Sequence, residues 1–302
     1  MILFNLKAIR FVCVYSISMK FLIETKKVIS KISAIDDRHL LEFIGLERGF
    51  KKVLRIHIEK SVEYEILCDY AKKFNFIIHH SSFKLKVSWQ NKLGDTFLEN
   101  VSWDNEEAEQ FVAYLSYDKH LLETALDIEL NGAHIDAGSL YGYPECCSQN
   151  YVSISEGKYW LDSLLENSTG LQFEYKANKL SYLTSGLTLF PDYFNCSFNC
   201  KQTMNLSDEY ERIGREFGLG KDIDNIISHM KGFFLIQGVN VIRFSEYNFI
   251  NNTVKVNLNN ISVFGEEIMI KSSDEIIFEL EKIDANYEVT FIGKKYRAIL
   301  FT

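Results

Sequence analysis

Proline occurs only twice in these 302 residues, at Pro144 and Pro191, and no Pro-rich or Gly/Ser-rich stretch separates one part of the chain from another. Blocks of structure that lack such linkers are expected to pack together rather than move as beads on a string. Six cysteines are far too few for a disulfide-dense secreted scaffold of this length. Basic charge is also short: 33 Lys and Arg stand against 41 Asp and Glu, a net charge of −8. The chain as a whole therefore lacks the positive footprint that a phosphate backbone attracts, and no nucleic-acid partner is expected. No uninterrupted apolar run reaches the length of a membrane span, since even KGFFLIQGVNVIRF (231–244) is broken by Gly and Asn and ends in Arg; no membrane partner is expected either. The G-x-G-x-x-G, Walker A, H-E-x-x-H and G-x-S-x-G patterns are all missing, which removes the usual starting points for dinucleotide, P-loop, zincin and α/β-hydrolase chemistry.

A chain that is 47% hydrophobic and 14% aromatic can nevertheless fill a large core. Residues 1–23 contain an apolar patch from Phe11 to Met19, but Lys7, Arg10 and Lys20 interrupt it and no small-residue cleavage site follows. The expectation is a soluble, cytoplasmic protein. The alternation of VLRIHI (53–58), the helical spacing of 59–74, and the runs NFIIHH and FKLKVSW predict a strand, a helix and two further strands. FVAYLSY (111–117) reads as another strand, after which Asp118 is placed to cap the helix KHLLETALDIEL. Beyond Gly232 short β-rich runs alternate with Asn-Asn, Gly-Lys and Ser-Ser-Asp turn signals. The reading is an α+β fold in three parts: an N-terminal α+β region (1–103), a central, mainly helical block (104–231) and a C-terminal antiparallel β-rich region (232–302).

Four of the six cysteines fall in two pairs, Cys146 with Cys147 in LYGYPECCSQN and Cys196 with Cys200 in YFNCSFNCKQT. Each of the two prolines lies within five residues upstream of one pair, a coincidence that buried cysteines without chemistry do not explain. Pro144 suits the first position of a helix, which would put Cys146 and Cys147 in the first turn, where unpaired N–H groups and the helix dipole favour thiolate. Cys196 and Cys200 would share a face if their segment were helical, and Gly142 would permit a tight turn or a close backbone approach before the first pair. Four thiolates suit a tetrahedral zinc ion or an iron–sulfur cluster. Adjacent cysteines bind one small ion only with strain, which places the cluster ahead of zinc. A thiol–disulfide exchange between the pairs is the further alternative.

The run from about 111 to 250, with Gly142, Tyr143, Pro144, Cys146 and Cys147 in the first motif and Cys196 and Cys200 in the second, resembles a prokaryotic family of unknown function. That family pairs G-Y-P-x-C-C with a downstream P-C-x3-C. Asn195 departs from it, standing where the family usually has proline. What the resemblance implies is a shared four-cysteine site, with no reaction attached.

Around that site, His134, twelve residues before Cys146, together with Asp136 and Tyr143, are candidates for a fifth ligand or for groups that orient the ligands. The expected function is a metalloprotein whose Cys146, Cys147, Cys196 and Cys200 hold an iron–sulfur cluster or zinc, acting as a redox or modifying enzyme on a small-molecule or peptide substrate. The alternatives are a non-catalytic binding module stapled by structural zinc and a thiol–disulfide oxidoreductase.

Overall fold

A computed structural model describes residues 19–33, 39–90, 96–108, 110–131, 134–155, 160–190, 193–257, 261–265 and 275–302. Pro191 and most of the Phe11–Met19 patch lie outside these residues. The fold is α+β with antiparallel sheets, and the chain divides into two compact units, the first ending at Tyr143 and including Arg212–Leu219, the second running over Pro144–Glu211 and Gly220–Thr302.

In the first unit, helix α1 (19–29) and α2 (Leu40–Glu47) precede β1 (Leu54–Ile58), α3 (Ser61–Phe74), β2 (Ile77–Gln90), β3 (Thr96–Ser102), β4 (Gln110–Ser116), α4 (Lys119–Asn131) and α5 (His134–Leu140). The strands form one antiparallel sheet in the order β1-β4-β2-β3. Because β4 pairs on one side with β1 and on the other with β2, the stretch just after residue 103 completes the N-terminal sheet. The helical block read from the sequence as 104–231 is thus shared between the two units, parting at Tyr143 and Pro144.

The two strands expected over 75–80 and 83–89 are one, β2. Its register with β4 shifts between His80 and Lys84, and Ser81 fills the irregularity: its hydroxyl donates to the Phe83 carbonyl at 2.6 Å and accepts the Val112 N–H at 3.1 Å. A buried hydroxyl replaces the ladder bonds that the bulge removes, so the strand continues through the polar pair of serines.

Helix ends follow local chemistry. The Glu63 carboxylate, in the first turn of α3, accepts the N–H groups of Glu59 at 3.1 Å and Lys60 at 3.2 Å, and both the N–H and hydroxyl of Ser33. Asp118 caps α4 as expected, accepting from His120 N–H at 2.8 Å. Helix α4 is also tied to the sheet. The Glu129 carboxylate accepts from Arg55 Nε at 2.7 Å, from the Tyr114 hydroxyl at 2.6 Å and from the Tyr141 hydroxyl, over a core of Val53, Phe83, Val112, Leu122, Ala125 and Leu140.

The second unit opens with α6 (Glu145–Ser155) and α7 (Trp160–Glu166), continues through β5 (Gln172–Phe173), α8 (Leu180–Ser185), α9 (Lys201–Glu216) and α10 (Gly220–Met230), and then turns to strands. These are β6 (Gly232–Gln237), β7 (Asn240–Phe244), β8 (Tyr247–Ile250), β9 (Thr253–Asn257), β10 (Ile261–Phe264), β11 (Glu275–Glu279), β12 (Glu281–Ile283), β13 (Asn286–Phe291) and β14 (Lys294–Phe301). The larger sheet runs β10-β7-β6-β14-β13-β12, with β5 added parallel to β14, and a smaller one runs β11-β9-β8. Residues of α9 from Arg212 onward are counted with the first unit.

Beneath the helices of this unit, Trp160, Leu161, Leu164, Phe173, Leu180, Phe198, Phe234, Ile236, Val241, Ile299 and Phe301 form one buried cluster. Phe198, fully buried, packs edge-on against Phe301 with ring centroids 5.1 Å apart and lies 5.4 Å from Phe173. This anchors the segment that carries Cys196 and Cys200 on the larger sheet. Among the described residues no helix is long and apolar enough to cross a membrane.

Candidate metal centre

The approach to the first cysteine pair is fixed by backbone sterics. Gly142 has φ +77°, and a Cβ there would lie 2.7 Å from the carbonyl oxygen of Phe50, so both expectations for this glycine, a turn and a close approach, are met by one residue. On the same stretch, the buried Lys51 ammonium pairs with Glu42 and donates to the Tyr141 carbonyl at 3.0 Å. Pro144 then supplies the carbonyl from which α6 winds, accepting the N–H of Cys147 at 2.9 Å and of Ser148 at 3.0 Å. Cys146 and Cys147 consequently sit in the first turn of α6, at the positive end of its dipole.

The second pair is organised differently from the expected helix. Residues 193–200 are irregular, and α9 starts only at Lys201. The Asn195 side-chain amide donates to the carbonyls of Ala177 at 2.9 Å and Ser197 at 2.7 Å, while Ser168 Oγ accepts the Phe198 N–H at 2.7 Å. The N–H of Cys200 reaches back to the Ser197 carbonyl at 3.3 Å. A turn pinned by Asn195, Ser168 and the buried Phe198 ring therefore brings Cys196 beside Cys200.

Cys200 occupies the N-cap of α9. Its carbonyl accepts the Met204 N–H at 3.0 Å and its sulfur accepts the Thr203 N–H at 3.5 Å, the role that a serine or aspartate oxygen usually plays. Cys146 and Cys147 thus stand in the first turn of a helix and Cys200 at a helix cap, while Cys196 lies in the turn that leads to that cap.

The four sulfurs converge within the second unit, all lying within 4.8 Å of one another. Cys146 Sγ is 3.9 Å from Cys147 Sγ and 3.5 Å from Cys200 Sγ, and Cys147 Sγ is 3.8 Å from Cys200 Sγ. These four residues lie close enough to hold a metal ion. Cys147 and Cys200 are buried, whereas Cys146 and Cys196 are half-buried. The buried pair also receives the donors: Cys147 Sγ accepts the Cys196 N–H at 3.4 Å and lies 3.4 Å from Thr203 Oγ1.

Electrostatics within the group are strongly coupled. Burial pushes the Cys146 thiol up to about 12, with hydrogen bonding to Cys200 adding to the effect. Hydrogen bonds to Cys196 and Cys200, together with burial, raise Cys147 well above the thiol range. Hydrogen bonds from the Cys147 and Cys196 thiols hold Cys200 far below it. Four sulfurs this close cannot all be anionic on their own, and Cys200 is the one on which the hydrogen bonds favour the thiolate.

Asp136 is exposed on α5 of the first unit. Tyr143 faces Lys51, whose ammonium lies 4.9 Å from the ring centroid. His134 opens α5, and its side chain lies outside the described residues. A group that does touch the sulfurs is Thr203, fully buried. Its place three residues after a cysteine that begins a helix is the signal that would have found it, since that is where a cap finds its N–H.

Comparison with family models, with curated proteins and with solved structures found no match for this chain.

Proposed function

We propose that Cys146, Cys147, Cys196 and Cys200 hold a single tetrahedral zinc ion, and that this centre staples the helical part of the second unit rather than binding substrate. The observation that carries the reading is the sulfur spacing, 3.5 to 3.9 Å among Cys146, Cys147 and Cys200 with all four sulfurs within 4.8 Å of one another. Four sulfurs sharing one zinc through bonds of about 2.3 Å stand about 3.8 Å apart at the corners of a tetrahedron. Sulfurs that ligate the corners of a cuboidal cluster each sit one bond beyond a separate iron, and their separations are far larger. On this ground we place zinc ahead of iron–sulfur, against the order expected from the sequence. The expected strain at adjacent cysteines is relieved because the first turn of α6 brings the sulfurs of Cys146 and Cys147 within 3.9 Å.

A four-thiolate ion is fully coordinated and leaves no open position for a substrate or water. This favours a zinc-stapled, non-catalytic module over a metalloenzyme. Free thiols held as a group suit a reducing compartment, in keeping with a cytoplasmic protein. Elemental analysis of the purified chain is expected to find one zinc per molecule. Replacement by Co²⁺ should give the intense visible and near-ultraviolet bands of a tetrahedral cobalt tetrathiolate. A brown, oxygen-sensitive preparation containing iron and inorganic sulfide would overturn the reading.

One distance favours a second reading. Cys146 and Cys200, 3.5 Å apart, need approach by only about 1.5 Å to form a disulfide, which is the thiol–disulfide alternative. Mass mapping of the metal-free protein after mild oxidation tests it: a Cys146–Cys200 disulfide that a dithiol reverses is the expected product.

A further inference from the structure

The four sulfurs are unequal in two ways that coincide. Cys147 and Cys200 are buried and accept the protein's own donors: the N–H of Cys196 at 3.4 Å and the Thr203 hydroxyl for the first, the N–H of Thr203 at 3.5 Å for the second. Cys146 and Cys196 are half-buried, and among the described residues no backbone N–H and no hydroxyl donates to either sulfur; their contacts are to the other sulfurs. Glu145, next to Cys146 in sequence, is exposed, and the partial exposure of Cys146 and Cys196 themselves gives this edge of the group its access to solvent.

A hydrogen bond to a thiolate draws off the electron density with which it would attack, and burial denies it a partner. A metal-bound thiolate that is accessible and free of such bonds keeps its nucleophilicity, because the metal holds it deprotonated at neutral pH. We propose that the Cys146–Cys196 edge is a nucleophilic zinc-thiolate surface that accepts an alkyl group from a soft electrophile, an alkyl carbon bearing a good leaving group. This rests on the zinc reading above.

In the step, a lone pair of the metal-bound sulfur forms the S–C bond while the bond from carbon to the leaving group breaks. The leaving group departs with that electron pair, and no proton, oxidant or reductant is required. The product is a thioether at Cys146 or Cys196, a weaker ligand of the ion than the thiolate it replaces. The transfer is stoichiometric, one alkyl group per site. Cys147 and Cys200, shielded and hydrogen-bonded, hold the ion while the outer sulfur reacts.

The test uses the full chain with its zinc content measured and its cobalt spectrum recorded first. The protein is then treated with substoichiometric methyl iodide and mapped by peptide mass spectrometry. Cys68, a free and partly exposed thiol on α3, is the internal reference. The expected result is methylation confined to Cys146 or Cys196 within the group, at least about tenfold faster than at Cys68, with the excess lost after zinc is chelated. Methylation of Cys147 or Cys200, or a rate no greater than that of Cys68, in protein that does hold one zinc overturns this inference and leaves the zinc reading standing. Absence of the metal and of the cobalt bands overturns both.

Discussion

Thr203 supports two different sulfurs of one group, donating its backbone N–H to Cys200 at 3.5 Å while its hydroxyl lies 3.4 Å from Cys147. A single residue at the start of α9 thereby fixes the buried half of the centre. Thr203→Val preserves shape and the backbone donor but removes the hydroxyl. Zinc affinity is expected to fall about tenfold or more, as for loss of other groups that orient metal ligands, read by competition with a chromogenic chelator. An unchanged affinity would show that the hydroxyl contributes nothing to ion binding.

Loss of a ligand should be felt in stability as well as in metal content. Cys147→Ser and Cys200→Ser are each expected to lose zinc and to lower the melting temperature of the second unit, whereas Cys68→Ser leaves both unchanged. Chelation of the wild-type protein should reproduce the shift. At free zinc about 100-fold above the dissociation constant, the ion contributes about 2.7 kcal/mol. Calorimetry with and without chelator measures it directly, and equal melting curves would contradict a stapling role.

The turn into the first cysteine pair supplies a contrast between two glycines. Gly142 and Gly49 share a left-handed conformation, φ +77° and +79°, but an added Cβ meets the Phe50 carbonyl at 2.7 Å in the first case and nothing within 4 Å in the second. Gly49→Ala is expected to cost about 1–2 kcal/mol for the backbone conformation alone. Gly142→Ala should cost clearly more, because the Phe50 strand of chain must also move. Denaturant unfolding of the two variants separates the contributions, and equal losses would show that the close approach is readily relieved.

Acid should weaken the first unit through Glu63. Burial alone would raise this carboxyl, but hydrogen bonds from Ser33, Glu59 and Lys60 outweigh it and hold the group below the ordinary value of 4.5. A carboxyl lowered on folding contributes stability that is present above 4.5 and is lost as pH falls through the folded value. Glu63→Gln is expected to be less stable than wild type at neutral pH, by about 1–3 kcal/mol, with the gap narrowing below about pH 4.5. A gap that stays constant on acidification would rule out the charged form as the source.

Much of this was legible in the residues themselves. Alternation marked β1 and β9, whose burial has period two, whereas β4, β6 and β7, buried almost throughout, were legible as short apolar runs rich in aromatic and branched residues. The paired cysteines marked the site because thiols and prolines co-occur there. The Cys196–Cys200 turn was hidden because an i, i+4 spacing is met equally by a helix and by a tight turn, and the choice between them rests on Asn195 and Ser168, the latter nearly thirty residues away in sequence. The continuity of β2 was hidden for the same kind of reason: HHSS reads as a break until the Ser81 hydroxyl is seen standing in for the ladder. The separations of the four sulfurs are set by the folded turns, and no spacing along a chain encodes those.

The contact between Phe198 and Phe301 sets an order of events during biosynthesis. The thiols leave the ribosome about a hundred residues ahead of the strand that supplies the floor of their loop, β14, which lies inside the larger sheet between β6 and β13. Until that strand arrives, the loop that carries Cys196 and Cys200 lacks its apolar floor, so the close arrangement of the four sulfhydryls is completed only at the last stage of folding.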